Sequence, residues 1–298
     1  SATPATPAAS STASAKIAPP PEPAPPPPAL EQALDAAARA IGANDPAAAD
    51  KALAAASAAA GDDAHFGYLV ARLRATRYAV AGDFERAAAA YVAAIPALAK
   101  HPELPDEFWS HNAMMMIREA QGDPAAALAE DDQATLAAAR GTWDPEHRAT
   151  LAFQKDRWHR AYLTRMLAES RTGSAKRALV AYAVSALDDY RTSGFPDSIA
   201  ILETYFAALD GKRDAALAAA KRVDPAKDDD IEDLYLVVVG LAAGGDAAGA
   251  EAVRKVMRRP APARISRAIM LRWLDLDAKG RGFTPWHGFT GIQPCSTN

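Results

Sequence analysis

With 298 residues the chain can hold one large domain, two small ones or one elongated one. Half of the residues are hydrophobic yet only 7% are aromatic, so alanine supplies much of the apolar surface and favours helix. A formal net charge of −4, from 33 basic and 37 acidic residues, offers no broad cationic surface for a phosphate backbone, so no nucleic acid is expected as a partner.

From Ser1 to Pro28 the residues SATPATPAASSTASAKIAPPPEPAPPPP show no hydrophobic period and many prolines, which predicts a disordered Pro/Ala/Ser-rich tether over 1–28. This composition resembles the mature start of exported bacterial lipoproteins. The resemblance implies a periplasmic or outer-membrane-anchored protein, with a lipid-bearing cysteine upstream of Ser1; a flexible cytoplasmic tail is the alternative.

Residues 29–278 read as one helical repeat domain. Six short windows recur: Asn44-Asp-Pro-Ala-Ala-Ala49, Gly82-Asp-Phe-Glu-Arg-Ala87, Gly122-Asp-Pro-Ala-Ala-Ala127, Gly173-Ser-Ala-Lys-Arg-Ala178, Gly211-Lys-Arg-Asp-Ala-Ala216 and Gly245-Asp-Ala-Ala-Gly-Ala250. Their first residues are spaced by 38, 40, 51, 38 and 34 positions. The opening Gly or Asn suits the left-handed backbone that ends a helix, and Asp or Ser then accepts from the free amides of the next helix. Pro46 and Pro124 fit a first turn. The sixth-place alanine is expected where two antiparallel helices approach most closely. The long spacing of 51 implies longer helices or an inserted segment around Gly141-Thr-Trp-Asp-Pro145.

Further along, Asp228-Asp-Asp230 with Glu232 and Asp233 places negative charge ahead of a helix N-terminus and lacks the spacing of a calcium loop. Leu234–Ala243 is about half the length needed to cross a bilayer and reads as a buried helix, so no transmembrane segment is expected. Ile265–Leu276 alternates apolar and charged residues with helical period and is expected to cap the stack, with one wet face. Residues 279–298 are rich in helix breakers and form an irregular tail, whose Phe283, Trp286 and Phe289 are expected to fold back on the last hairpins.

The stretch GDFERAAAAYVAAI, with Gly82, Ala87, Tyr91, Ala94 and Ile95, resembles the tetratricopeptide repeat in its Gly-Asp-aromatic turn, packing alanine and second-helix aromatic. Gly173, Ala178 and Tyr182 follow the same pattern more loosely, and the similarity spans roughly residues 30–260. First helices depart from it: Ala75 and Tyr78 fit, whereas Met115 and Arg118 hold the matching places before Gly122. The resemblance implies an all-α fold, a right-handed superhelix of about six antiparallel hairpins. Its first helices would line a concave groove for a protein or peptide partner. Counting back from the turns, the groove-facing positions are Arg72 and Thr76; Trp109, Asn112 and Met116; Arg160 and Leu163; Ser198, Ile201 and Tyr205; Glu232 and Tyr235. Arg72, Trp109, Asn112, Met116, Arg160, Tyr205 and Tyr235 are the candidate peptide-binding residues, with Trp109 and Asn112 foremost: a half-exposed indole anchors and an amide holds a peptide backbone.

Signatures of catalysis are missing from the sequence. It contains no H-E-x-x-H zinc helix, no G-x-S-x-G elbow and no phosphate-binding glycine loop. His147 and His159 do not fall on adjacent helical turns and are expected to serve packing. Cys295 stands alone, which excludes an intrachain disulfide and a multi-cysteine metal site. Met114–Met116 are expected to fill core gaps. A binding scaffold without catalytic residues, metal or cofactor is therefore expected. The rival readings are an all-α glycan-active enzyme using the five tryptophans beside a carboxylate pair, and a structural oligomerisation module.

Overall fold

The computed structural model describes residues 25–192, 194–226, 231–259 and 264–278; for 152–156, 232, 272–273 and 275–278 it describes the backbone alone. Among these residues the chain forms α-helices and no β-strand. The first elements are α1 (Pro28–Gly42), α2 (Pro46–Ala60), α3 (Ala64–Ala81), α4 (Phe84–Leu98), α5 (Asp106–Ala120), α6 (Pro124–Arg140) and α7 (Pro145–Gln154). A five-residue π-helical turn, Lys155–His159, leads directly into α8 (Arg160–Glu169). There follow α9 (Gly173–Arg191), α10 (Pro196–Leu209), α11 (Arg213–Ala220), α12 (Ile231–Ala243), α13 (Ala247–Met257) and α14 (Ile265–Ala278). Six adjacent pairs pack as hairpins: α1 on α2, α3 on α4, α5 on α6, α8 on α9, α10 on α11 and α12 on α13.

Turn chemistry makes the hairpins. Asn44, Gly82, Gly122, Gly173, Gly211 and Gly245 all have positive φ, between 54° and 85°. In five of the six turns the backbone closes identically. The amide of the positive-φ residue donates to the carbonyl three positions back, and the next amide donates to the carbonyl five positions back, as in Gly82 to Ala79 and Asp83 to Tyr78, both 2.9 Å. Asp45, Asp83, Asp123 and Asp246 then accept from the amide three residues ahead, satisfying one of the donors that no carbonyl inside the new helix can reach.

Packing follows the small-residue rule in the same five hairpins. Ala49, Ala87, Ala127, Ala216 and Ala250 are fully buried at 0% exposure. The fourth hairpin departs from it. Gly173 is the first residue of α9 and not the residue that ends α8, so the face of α9 is rotated: Ala183, Leu187 and Tyr190 are buried, while Ala178 is exposed and Tyr182 is 52% exposed. The expected match through Ala178 and Tyr182 is corrected accordingly. The long spacing ahead of this hairpin has two sources, a helical run over 145–169 and a connector whose Trp143 is buried against Phe108, Ala134, Ala137 and Ala138.

Most buried apolar side chains form one continuous cluster from Tyr68 to Leu274, with a smaller one joining α1, α2 and α3. Met114, Met115 and Met116 are all buried in the main cluster, and α12 is buried from Leu234 to Leu241, as its sequence predicted. α14 is not confined to the end of the stack, contrary to the expected cap. It packs on α12 and also on α3 and α5 near the other end, burying Ile265, Ile269, Met270 and Leu274 in the main core. The tether before residue 25, Asp228–Asp230, and residues 279–298 with Phe283, Trp286, Phe289 and Cys295 lie outside the described residues.

Candidate docking face of the first helices

The structure divides the seven candidate residues into two groups. Arg72 on α3 is exposed; Trp109 and Asn112 on α5 and Arg160 at the start of α8 are half-buried. Met116, Tyr205 and Tyr235 are buried, the two tyrosines at 0%, so they present no surface to a ligand in this conformation. Thr76, Leu163 and Ile201 are buried with them, and the side chain of Glu232 is not described. Counting back from the turn glycine reaches the first helix of each hairpin, but at Thr76, Met116, Leu163, Ile201, Tyr205 and Tyr235 it lands on a buried face.

Trp109 bridges two environments, packing against both the main core and the Trp143 cluster, its ring edge-on to Phe108 at 4.9 Å. The Arg160 guanidinium donates to Asp132 on α6 at 2.5 Å, so it is committed to its own fold. Arg72 lies 5.9 Å over the Tyr68 ring. Burial pushes the Tyr68 phenol up to about 12, despite the nearby Arg72 charge that opposes the shift. Beside this pair, His65 Nδ1 meets Asp106 Oδ2 at 2.6 Å and ties α3 to α5. Burial raises the Asp106 carboxyl above its ordinary range, with His65 and Arg72 acting against the rise. His65 also lines a shallow pocket of about 190 Å³ with Asp63, Phe66, His101, Glu103 and Leu104.

A second polar group sits between α5, α8 and α10. The Tyr162 hydroxyl donates to buried Glu119, and its ring lies 5.0 Å from that of Tyr205. Arg165, 2% exposed, donates to Glu169 one turn on and to Asp210, the residue that follows α10, at 2.9 Å. Lys176 on α9 adds a second bond to Glu169 at 2.6 Å. Burial alone would push Glu169 and Asp210 up, but the cations bound to them hold both carboxyls below their ordinary range. With the Trp158 indole donating to the Ser198 carbonyl at 3.4 Å, these large side chains join the fourth hairpin to the fifth. The sequence reading did not single out His65, Asp106, Glu119 or Arg165. Only Arg165 and Glu169, four residues apart on one helix, left a readable signal.

Among the described residues no group of three or more histidines, cysteines or acids could hold a metal ion, and His147 is exposed beside Trp143. No described helix is long and apolar enough to cross a membrane. The structure thus defines a class, an all-α array of paired helices. No protein-family model matches the chain, and neither a curated protein nor a solved structure shows significant similarity to it.

Proposed function

We propose that this chain is a non-enzymatic binding scaffold whose tetratricopeptide-like hairpins form a superhelix and present their first helices, α3, α5, α8, α10 and α12, to a protein or peptide partner. The observation that carries the reading is the seat of α14: an amphipathic helix is received by α3, α5 and α12, and the first two of these bear Arg72, Trp109 and Asn112. Helix-in-groove recognition needs an apolar trough with polar groups at its rim. The apolar residues of α14 are buried in the core that these helices share, and exposed Arg72 stands on one of them. An envelope location, with residues 1–28 as the tether, belongs to the same reading and rests on their composition.

The test is crosslinking and affinity mass spectrometry of the full chain in its source cell, repeated with Arg72→Glu and Trp109→Ala. Arg72→Glu is expected to abolish capture of a defined partner without changing the melting temperature. Trp109→Ala is expected to weaken capture tenfold or more, in line with an interface anchor. Capture unchanged by both variants would refute the assignment.

A further inference from the structure

We infer that α14 is a displaceable internal ligand, and that the partner binds by supplying an amphipathic helix in its place, with aliphatic side chains at positions i, i+4, i+5 and i+9. This inference rests on the reading of the first helices as the docking side.

Several observations carry it. Like α7, α14 lies outside the six hairpins, so each hairpin keeps its turn and its partner helix when α14 leaves. Fourteen residues of helix measure about 21 Å. In a straight row at an interaxial spacing of about 8–10 Å, α3 and α12, with α5, α8 and α10 lying along the row with them, would stand roughly 32–40 Å apart. Yet among the described residues α14 packs on α3, α5 and α12 and makes no comparable contact with α8 or α10. On the proposed reading of the first helices as one row, that pattern is a chord across an arc, with α14 in the mouth of the curve.

The chemistry of the seat is generic. Ile265, Ile269, Met270 and Leu274 supply the buried contacts, and Ala268 and Leu271 flank them. Apolar burial is non-directional, so another helix with the same spacing and volumes fits the same place. The Arg267 guanidinium donates to the carbonyl of Arg259, in the connector from α13, and so anchors α14 to its own linker.

The decisive measurement is hydrogen exchange on the unmodified full chain. Amides of 265–278 are expected to exchange at least tenfold faster than those of α3, α5 and α12. Protection of α14 equal to that of α12 would overturn the inference without any variant having to fold. The second arm uses a fluorescent peptide of sequence 264–278. The double variant Ile269→Asp, Leu274→Asp, which releases α14, is expected to bind it at least tenfold more tightly than the unmodified chain while keeping its helical circular dichroism. A peptide with Ser at the positions of Ile269, Met270 and Leu274 is expected not to bind. Equal binding by both chains, binding by neither, or collapse of the variant's helix content shows α14 to be fixed core and refutes displacement. If exchange is slow but Arg72→Glu still abolishes partner capture, this inference alone fails. If α14 exchanges fast and its peptide binds while Arg72→Glu leaves capture intact, the earlier assignment of Arg72 and Trp109 fails instead.

Discussion

Replacing Gly240 by alanine sets two effects of opposite sign against each other. Within a helix such a change normally stabilises by about 1 kcal/mol, because glycine has more backbone freedom to lose. At Gly240, in the middle of α12, the new Cβ would stand 2.0 Å from Thr204 Cγ2 on α10 and 3.3 Å from the Ala216 carbonyl oxygen on α11. Thr204 is fully buried and β-branched, so it cannot swing aside cheaply. Overpacking costs about 1–3 kcal/mol, and an approach of 2.0 Å to a buried β-branched side chain belongs in the upper half of that range, so after the propensity gain a net loss of roughly 1–2 kcal/mol is left. For a chain of this size that is a fall of about 2–8 °C in Tm by thermal circular dichroism. Gly67, inside α3, is the control, since nothing lies within 4 Å of its added Cβ. Gly67→Ala is expected to raise Tm by about 2–4 °C. Thr204→Ser, which removes Cγ2, is expected to restore most of the loss in the double variant. A Gly240→Ala chain as stable as Gly67→Ala, or one that Thr204→Ser fails to rescue, would refute the close stacking of α12 on α10 and α11.

The register of the fourth hairpin gives a second contrast. Ala87→Leu places a large side chain at a fully buried crossing and is expected to cost about 1–3 kcal/mol in urea unfolding, whereas Ala178→Leu on the exposed face of α9 stays within about 0.5 kcal/mol. Equal losses would restore the register that the sequence suggested. The Arg165 network predicts a pH effect. Because Glu169 and Asp210 are held below their ordinary values of 4.5 and 3.8, the stability they contribute is present above those values and disappears as pH falls through their lowered folded values. Arg165→Met removes a cation they share, so the Tm gap between it and the unmodified chain should be wide at pH 7 and narrow steadily below pH 4.5. A gap that does not vary with pH would show that Arg165 acts through packing alone.

Turns were the legible part of this fold because their chemistry is local. A residue tolerating positive φ closes a helix in the same way wherever it occurs, and Asn44, Gly82, Gly122, Gly211 and Gly245 behave alike, the four other than Gly211 being followed by a capping aspartate. Helix faces were less legible where alanine is abundant. In α9, Ala178 and Ala183 offer two registers that differ little in composition, and tyrosines follow both, Tyr182 on one and Tyr190 on the other. In the register adopted, Leu187 is buried alongside Ala183 and Tyr190. The candidate site was legible as far as the helix and no further. Offsets taken from a turn identify α10 and α12, but Tyr205 and Tyr235 are buried against neighbours that only the tertiary arrangement brings near. For α14, periodicity revealed a face without naming what lies opposite it.

The reach of α14 back to α3 has a consequence for the order of assembly. Each hairpin joins residues close in sequence and can zip up as it leaves the ribosome, whereas the closing helix is translated only after all six. Until then, the apolar flanks of α3, α5 and α12 that will receive it remain wetted, so the nascent array passes through a sticky stage. A stop codon placed before Ile265 would make that stage permanent, giving a product rich in helix that clings to holdase chaperones or to its own copies.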